Sequence, residues 1–326
     1  MERSILATFR PASRASAATA FEGTPASVVP QPHFSVVLPV RNGAGTIGDQ
    51  LSALAEQEVT EPWELLVVDN GSTDGTREVA ERWRDRLPLT IVDGGDLASI
   101  AAARNSGVAA ARSDRLLFCD SDDVVQPGWI AAHLTALEVA DLVGGHLRDD
   151  LIEEPADRAG IRWLSPYPTD RLPEASGGPP FAPGANYAVR RQVVEALGGW
   201  DAAAHTAEDI DFSWRAHAAG FRLAFAPGAL IAYRQRSCAR DVARQAFDYG
   251  GARRRLQARH RGTIPPRRGP ALRVLATGLR LSLSALARPC SRRRRLLWLR
   301  WVSYACGWAL AGRFDSPLPT VPRGPA

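Results

Sequence analysis

The chain has 326 residues, enough for one large α/β domain with an appendage or for two modest domains, and its 45% hydrophobic and 23% charged residues are those of an ordinary globular protein. Four cysteines (Cys119, Cys238, Cys290, Cys306) lie far apart without paired spacing, which argues against a disulfide framework or a zinc site and fits a reducing cytosol. The net charge of +5 is unevenly placed: the first two thirds are neutral or acidic, residues 237–326 are strongly basic, and every basic residue is Arg, for which a GC-rich coding bias is a sufficient cause.

Residues 1–32 are rich in Ala, Ser, Pro and Thr and lack the apolar core of a secretory signal, so they are expected to be a disordered leader. No stretch reaches the roughly 20 apolar residues of a membrane-spanning helix. Order is expected from Phe34–Val40, a β-branched run stopped by Arg41-Asn42-Gly43. A helix follows from about Thr46 to Gln57, then a strand over Leu65–Asp69 closed by the turn Asn70-Gly71-Ser72. Another helix opens at Thr73-Asp74, Leu89–Val92 is a third strand, residues 98–112 a helix and Arg115–Cys119 a fourth strand. This alternation of helices with near-continuous apolar strands predicts an α/β fold with a mostly parallel central sheet covered on both faces. No Walker sequence is present, which weakens the P-loop reading.

Beyond Gly128 the pattern predicts a helix near Ile130–Val139, a strand near Leu142–His146 and a long surface loop over 150–182 of the lid or binding-loop kind. A strand over Gly184–Val189, a helix over Arg191–Leu197, a helix opening at Glu208 and two closing strands, Phe221–Phe225 and Ala229–Tyr233, complete the unit.

The chemistry concentrates where the apolar run Leu116–Cys119 ends in Asp120-Ser121-Asp122-Asp123. Like charges at that spacing repel and resist desolvation, and a divalent cation with hard oxygen ligands (Mg²⁺ or Mn²⁺) resolves the conflict while leaving positions for phosphate oxygens. A solvated turn is the plainer alternative. Asp69 ends its strand at the same sheet edge, where an acid accepts from a ribose hydroxyl or base N–H, or simply caps a turn. Arg104 has the fork to neutralise a diphosphate, or is an exposed helix Arg; Glu208 and Asp209 lie at a helix start, where acids also serve as caps.

In order and spacing, Phe34–Gly43, Val67–Thr76, Ala103–Gly107, Leu117–Asp123, Gly198-Gly199-Trp200-Asp201 and Glu208-Asp209 resemble the family 2 glycosyltransferases of GT-A fold, over roughly residues 34–235. The resemblance implies inverting transfer of a sugar from a nucleotide-diphosphate donor to an acceptor hydroxyl, as in cell-envelope, polysaccharide or glycolipid assembly. It implies that Pro39, Val40, Arg41, Asp69 and Arg104 line the donor nucleotide, with Asp120 near the ribose or a metal-bound water and Asp122 a direct ligand of Mg²⁺ or Mn²⁺. Asp209 of the Glu208-Asp209 pair would be the general base. Gly184, Ala185 and Asn186 would lie beneath the donor sugar, and Trp200 in the acceptor region; His205, near the base, reads as a surface His, with an acceptor contact as the alternative. A family His that helps hold the metal is absent, Ala232 preceding Tyr233 there, which leaves Asp122, diphosphate and water as the expected ligands. A sugar nucleotidyltransferase and a catalytically inactive nucleotide-sugar or membrane scaffold are the competing readings.

The domain limits expected are 33–236 for the catalytic unit and 237–326 for a basic, partly amphipathic helical extension. Leu272, Leu275, Leu279, Leu283 and Leu286 recur at helical spacing, and Arg292–Arg295 precede Leu296, Leu297, Trp298, Trp301, Tyr304 and Trp308. Tryptophan beside arginine clusters favours attachment to an anionic membrane surface, on the inner face of the cell membrane, and a lipid-linked or polysaccharide acceptor would explain it. A helical pair packed on the catalytic domain is the alternative; nucleic acid is not expected, since no reading motif accompanies the charge.

Overall fold

A computed structural model describes residues 31–95, 99–152, 168–175, 177–204, 206–236, 238–260 and 292–311. Residues 1–30 of the expected leader, the middle of the 150–182 loop, His205 and the Leu272–Leu286 run lie outside the described residues.

Strands β1 (Phe34–Val40), β2 (Trp63–Asp69), β3 (Leu89–Asp93) and β4 (Arg115–Cys119) alternate with helices α1 (Ile47–Ala55), α2 (Thr76–Glu81) and α3 (Ile100–Ala110). The chain continues through β5 (Val124–Val125), α4 (Trp129–Leu137), β6 (Leu142–Arg148), β7 (Asn186–Arg190), α5 (Arg191–Leu197), α6 (Glu208–Ala218) and β8 (Leu223–Ala232). All eight strands join one sheet in the order β3-β2-β1-β4-β7-β6-β8-β5. Every residue of β1 is buried; Phe34, Val36, Leu38 and Val40 pack on one face while Val37 packs on the other, so both faces are covered and the strand reads as continuously apolar. Gly107 of α3 has room for no side chain, because a Cβ there would lie 2.4 Å from Val37 Cγ1, and this draws α3 onto the sheet.

The sheet is mixed. Pairs β1/β2, β2/β3, β1/β4 and β6/β8 are parallel, but β7 runs antiparallel to both β4 and β6, and β5 antiparallel to β8. This reversal has a functional consequence: Cys119 at the end of β4 faces Asn186 at the start of β7. The turn Gly184-Ala185 is thereby carried to the edge where the acidic cluster begins.

Several expected boundaries shift for local reasons. The two closing strands are one, β8, whose register against β6 jumps between Gly145 (opposite Ala226) and His146 (opposite Leu230). Pro227 has no N–H for the ladder, and Pro227-Gly228-Ala229 bulge out of the pairing. The helix expected from Thr73 starts at Thr76, because the Asp74 carboxylate accepts from Thr76 N at 3.0 Å and from Ala44 N at 3.2 Å. The two-residue β5 is too short for any periodic signal.

After the sheet, α7 (Ala239–Arg259) and α8 (Arg292–Leu310) pack against each other at very close range. Added Cβ atoms would lie 2.0 Å from Tyr304 O at Gly250 and 1.9 Å from Phe247 O at Gly307, so only glycine permits this approach. The end of α7 is tied to the sheet domain by Arg259 Nη1–Asp201 at 2.7 Å and by His260 Nε2–Asp211 at 2.9 Å. No described helix is long and apolar enough to cross a membrane. Gly307→Ala is expected to force α7 and α8 apart at a cost of about 1–3 kcal/mol, the usual range for overpacking. Denaturant unfolding checks this, and an unchanged midpoint would contradict the close packing.

Candidate active site

The C-terminal ends of β1, β2 and β4 and the N-terminus of α6 meet at one sheet edge. Two loops shape one side of it. Asn42 N donates to Ser72 Oγ at 2.9 Å, Thr73 N to Asn42 Oδ1 at 2.8 Å and Gly43 N to Thr76 Oγ1 at 2.9 Å, so the loops after β1 and β2 are laced together. Asn42 itself adopts φ 53°, a strained left-handed conformation that Asn tolerates better than most residues. Pro39 and Val40 are buried in β1, whereas Arg41 is exposed at the rim. Asp69 is buried beside them; its Oδ1 accepts from Ser72 N at 3.0 Å and its Oδ2 from Arg77 Nε at 2.5 Å. These bonds hold its carboxyl below the usual range, against the opposing effect of burial.

The acid cluster follows β4. One carboxylate oxygen from each of Asp120, Asp122 and Asp123 lies within 4.8 Å of the others. Gln50, fully buried on α1, fixes this loop by donating to Asp120 O at 3.1 Å and accepting from Val125 N at 2.8 Å. Burial pushes Asp120 up to about 6, opposed by Arg104, and drives Asp123 well above the carboxylate range, reinforced by Asp122 and Asp120. Asp120 Oδ1 and Asp123 Oδ2 are buried without a hydrogen-bond partner. Two orphaned carboxylate oxygens and three hard donors within one coordination sphere fit a divalent cation such as Mg²⁺ or Mn²⁺.

The opposite wall is α6. Its N-cap, Ala207, has φ 64°, so a non-glycine residue is held in the left-handed region directly before Glu208 and Asp209. Asp209 Oδ2 accepts from Gly184 N at 2.8 Å and Oδ1 from Ile210 N at 2.8 Å. Burial first, and then the charge of Glu208, raise Asp209 to about 7. Tyr249 of α7 lies close enough that burial, followed by Asp209 and Glu208, raises its hydroxyl to about 12.

Arg104 joins the two walls. It is 2% exposed, pairs with Glu208 through Nη1, donates from Nη2 to Gly184 O at 2.9 Å and lies 3.6 Å from Asp120 Oδ1. The expected role as a diphosphate ligand is therefore corrected: the guanidinium is internal and committed to the protein's own acids. Gly184 is glycine for the same reason, since a Cβ would come within 2.7 Å of Arg104 Nη2.

Two other expected contacts are corrected. Asn186 is fully buried and its amide is used up, accepting from Trp129 Nε1 at 2.7 Å, meeting His133 Nε2 at 2.8 Å and donating to Ala229 O at 2.8 Å and His146 O at 3.0 Å. It ties α4, β6, β7 and β8 together and has nothing left for a sugar. Trp200 is 3% exposed and stacks on Phe212 at 4.5 Å with Phe118 edge-on at 5.3 Å, so it belongs to the core instead of an acceptor surface. Ala185 sits in the turn beside Gly184, at the edge itself.

Sequence reasoning missed two arginines. Ala232 is buried and paired with Val124, and the segment after it brings Arg234 and Arg236 to the cluster. Arg234 N donates to Asp123 Oδ1 at 2.7 Å and its Nε to Asp122 O at 2.8 Å, while Arg236 Nη1 lies 3.1 Å from Asp122 Oδ2. The run Arg234-Gln235-Arg236, directly after a strand that returns to the acid edge, was the available signal.

Removing Arg104 leaves Glu208 as a buried, uncompensated charge. Arg104→Met is expected to destabilise the fold by about 3–5 kcal/mol, the range for breaking a buried ion pair; a loss below about 1 kcal/mol in urea unfolding would show the bridge to be dispensable.

Comparison with known proteins agrees with this geometry. The family model described as Glycosyl transferase family 2 matches residues 35–198, and that described as Glycosyl transferase family group 2 matches residues 166–312. The pre-mycofactocin glycosyltransferase of Mycobacterium tuberculosis is 30% identical over 246 residues, covering 71% of this chain and 49% of that protein. Glycosyltransferase AglE of Haloferax volcanii is 30% identical over 201 residues, 60% of this chain and 64% of that protein. The chain thus spans about half to two thirds of the length of these curated relatives. The fold is that of the mannosyltransferase PcManGT from Pyrobaculum calidifontis, solved with GDP-Man and Mn²⁺, at a TM-score of 0.60 and 20% identity over 86% of this chain and 87% of that one. With a family model covering half its length, a relative at 30% identity over most of it and the GT-A architecture throughout the sheet, the chain belongs to glycosyl transferase family 2.

Proposed function

We propose that this protein transfers a sugar from a nucleotide-diphosphate donor to an acceptor hydroxyl with inversion at the anomeric carbon, residues 33–236 forming the catalytic unit. The observation that carries the reading is the placement of Asp209, raised to about 7, across the edge from three clustered acids, with Arg104 linking the walls. An inverting displacement needs one base and one electrophilic partner for the departing diphosphate, and no covalent nucleophile. Asp209 is the base: a carboxylate near 7 is about half ionised at neutral pH yet basic enough to take the acceptor proton. Gly184 N orients that carboxylate, and Glu208 keeps its proton affinity high. Asp122, with Asp120 and Asp123, would hold the Mg²⁺ or Mn²⁺, which when bound supplies Lewis-acid stabilisation of diphosphate charge. Asp69 and the rim around Arg41 bind the nucleoside. The deep paired acids speak for an active transferase over an inert scaffold.

The acceptor reading is a membrane one. Phe247 of α7 and Trp298, Trp301 and Leu310 of α8 are exposed on the helix pair, with exposed Arg240, Arg244 and Arg295 on the same two helices. Aromatics interspersed with arginines suit an anionic bilayer surface, such as the inner face of the cell membrane, and hence a lipid-linked acceptor.

Asp209→Asn is expected to lower kcat by about 10²–10⁴-fold with donor binding retained, as for loss of a general base. In the unaltered protein kcat is expected to rise with pH through about 7, because the carboxyl is protonated and inactive below that value. Full transfer activity in Asp209→Asn, or a flat profile from pH 5.5 to 8, would refute the base assignment. For the membrane reading, the double variant Trp298→Ala, Trp301→Ala is expected to lose co-sedimentation with vesicles containing anionic lipid. Undiminished binding would remove that role from α8.

A further inference from the structure

Arg234 and Arg236 both reach the acid cluster from the segment after β8, yet they are held very differently. Arg234 is pinned by its backbone N on Asp123, its Nε on Asp122 O and its Nη2 on Asp49 at 3.0 Å. Arg236 extends one nitrogen to Asp122 Oδ2 at 3.1 Å, its side chain is 51% exposed, and residues 233–236 belong to no helix or strand. The partner oxygen belongs to the acid proposed above as a metal ligand. Three carboxylates crowded at one edge need positive charge whether or not a cation is bound, and in this arrangement Arg236 contributes it at Asp122.

We infer that Arg236 is a mobile counter-charge that neutralises Asp122 in the donor-free protein and moves to the donor diphosphate when cation and nucleotide arrive together. The inference rests on the sugar-transfer reading for the identity of the diphosphate, but not for the Asp122 contact. A guanidinium suits both tasks, because its planar fork matches a carboxylate and a phosphate equally well. The consequence is a coupling of defined sign. Arg236 competes with a cation that binds alone, since both seek the same carboxylate, and it assists a diphosphate that brings its own negative charge. The free cation is thus held weakly, and cation and diphosphate bind as a unit.

The test uses the full chain with Mn²⁺ alone, followed through the free-Mn²⁺ paramagnetic resonance signal. It then uses UDP, GDP, ADP and dTDP at saturating Mn²⁺, followed by titration calorimetry. Arg236→Gln is expected to tighten Mn²⁺ alone by about two- to fivefold, the scale of releasing a half-exposed ion pair. The same variant is expected to weaken the nucleoside diphosphate that binds the unaltered protein by about tenfold, the scale of a charge-assisted phosphate contact. Arg236→Lys, which keeps the charge but not the fork, should restore Mn²⁺ binding to the original weak level and recover part of the diphosphate affinity. Thermal melts of each variant verify folding. Unchanged or weaker Mn²⁺ binding in Arg236→Gln would overturn the inference, as would an unchanged diphosphate affinity. If none of the four nucleotides binds the unaltered protein, the sugar-transfer reading fails and the diphosphate half of the inference is overturned with it. The Mn²⁺ measurement then still decides the Asp122 contact.

Discussion

The site depends on one constraint: Asp120, Asp122, Asp123, Glu208 and Asp209 share a single sheet edge, and their charges cannot all be desolvated without compensation. Arg104 supplies the internal part of that compensation from a fully enclosed position, touching Glu208, Gly184 and the neighbourhood of Asp120 at once. Much else near the edge follows from its placement. Gly184 must lack a side chain because the guanidinium passes beneath it. The turn that carries Gly184 must reach this edge, which it does because β7 runs against β4. Asp209 then takes its orientation from Gly184 N, so the position of this carboxylate, the base proposed above, is set through the same turn that Arg104 anchors.

The remaining charge imbalance is the part that suits catalysis. Asp123 keeps one buried oxygen without a hydrogen-bond partner and Asp120 another, and burial, reinforced by the neighbouring acids, holds both carboxyls above their ordinary range. A cation and its diphosphate would complete what the protein leaves incomplete. Strained backbone gathers at the same place, at Asn42 beside the nucleotide rim and at Ala207 before the acid pair, which is where a rigid surround can hold unfavourable conformations. Asn186 and Gln50 belong to that surround: one ties four elements behind the edge, and the other holds the loop that bears the acids.

The helix pair α7–α8 extends the same economy of contact. Gly250 and Gly307 let the two helices approach at backbone distance, and Arg259 and His260 fasten the end of α7 to Asp201 and Asp211. Tyr249 carries α7 into the electrostatic neighbourhood of Asp209. The pair is at once part of the catalytic surroundings and the bearer of the exposed aromatics Trp298 and Trp301.

Local pattern in the sequence was enough for the α/β alternation, the strands β1 to β4 and the acid cluster itself, because apolar runs, turn residues and clustered like charges are short-range signals. Asp120 and Asp122 could be singled out for the same reason, at the end of a predicted strand, whereas Asp209 was reached only through the family resemblance of the Glu208-Asp209 pair. Only the tertiary structure decided which polar residues lie at the open edge and which are turned into the protein. Arg104, Asn186 and Trp200 carry chemistry suited to a ligand, yet each is turned inward, since hydrogen-bond partners from 40 to 104 residues away engage Arg104 and Asn186 and aromatic neighbours enclose Trp200. Arg236 went the other way, from an unremarked residue to a partner of Asp122, because the pairing of Ala232 at the end of β8 with Val124 of β5 brings that segment back to the acids. Such long-range pairings leave no periodic trace in the chain, and the direction a polar side chain faces is set by them alone.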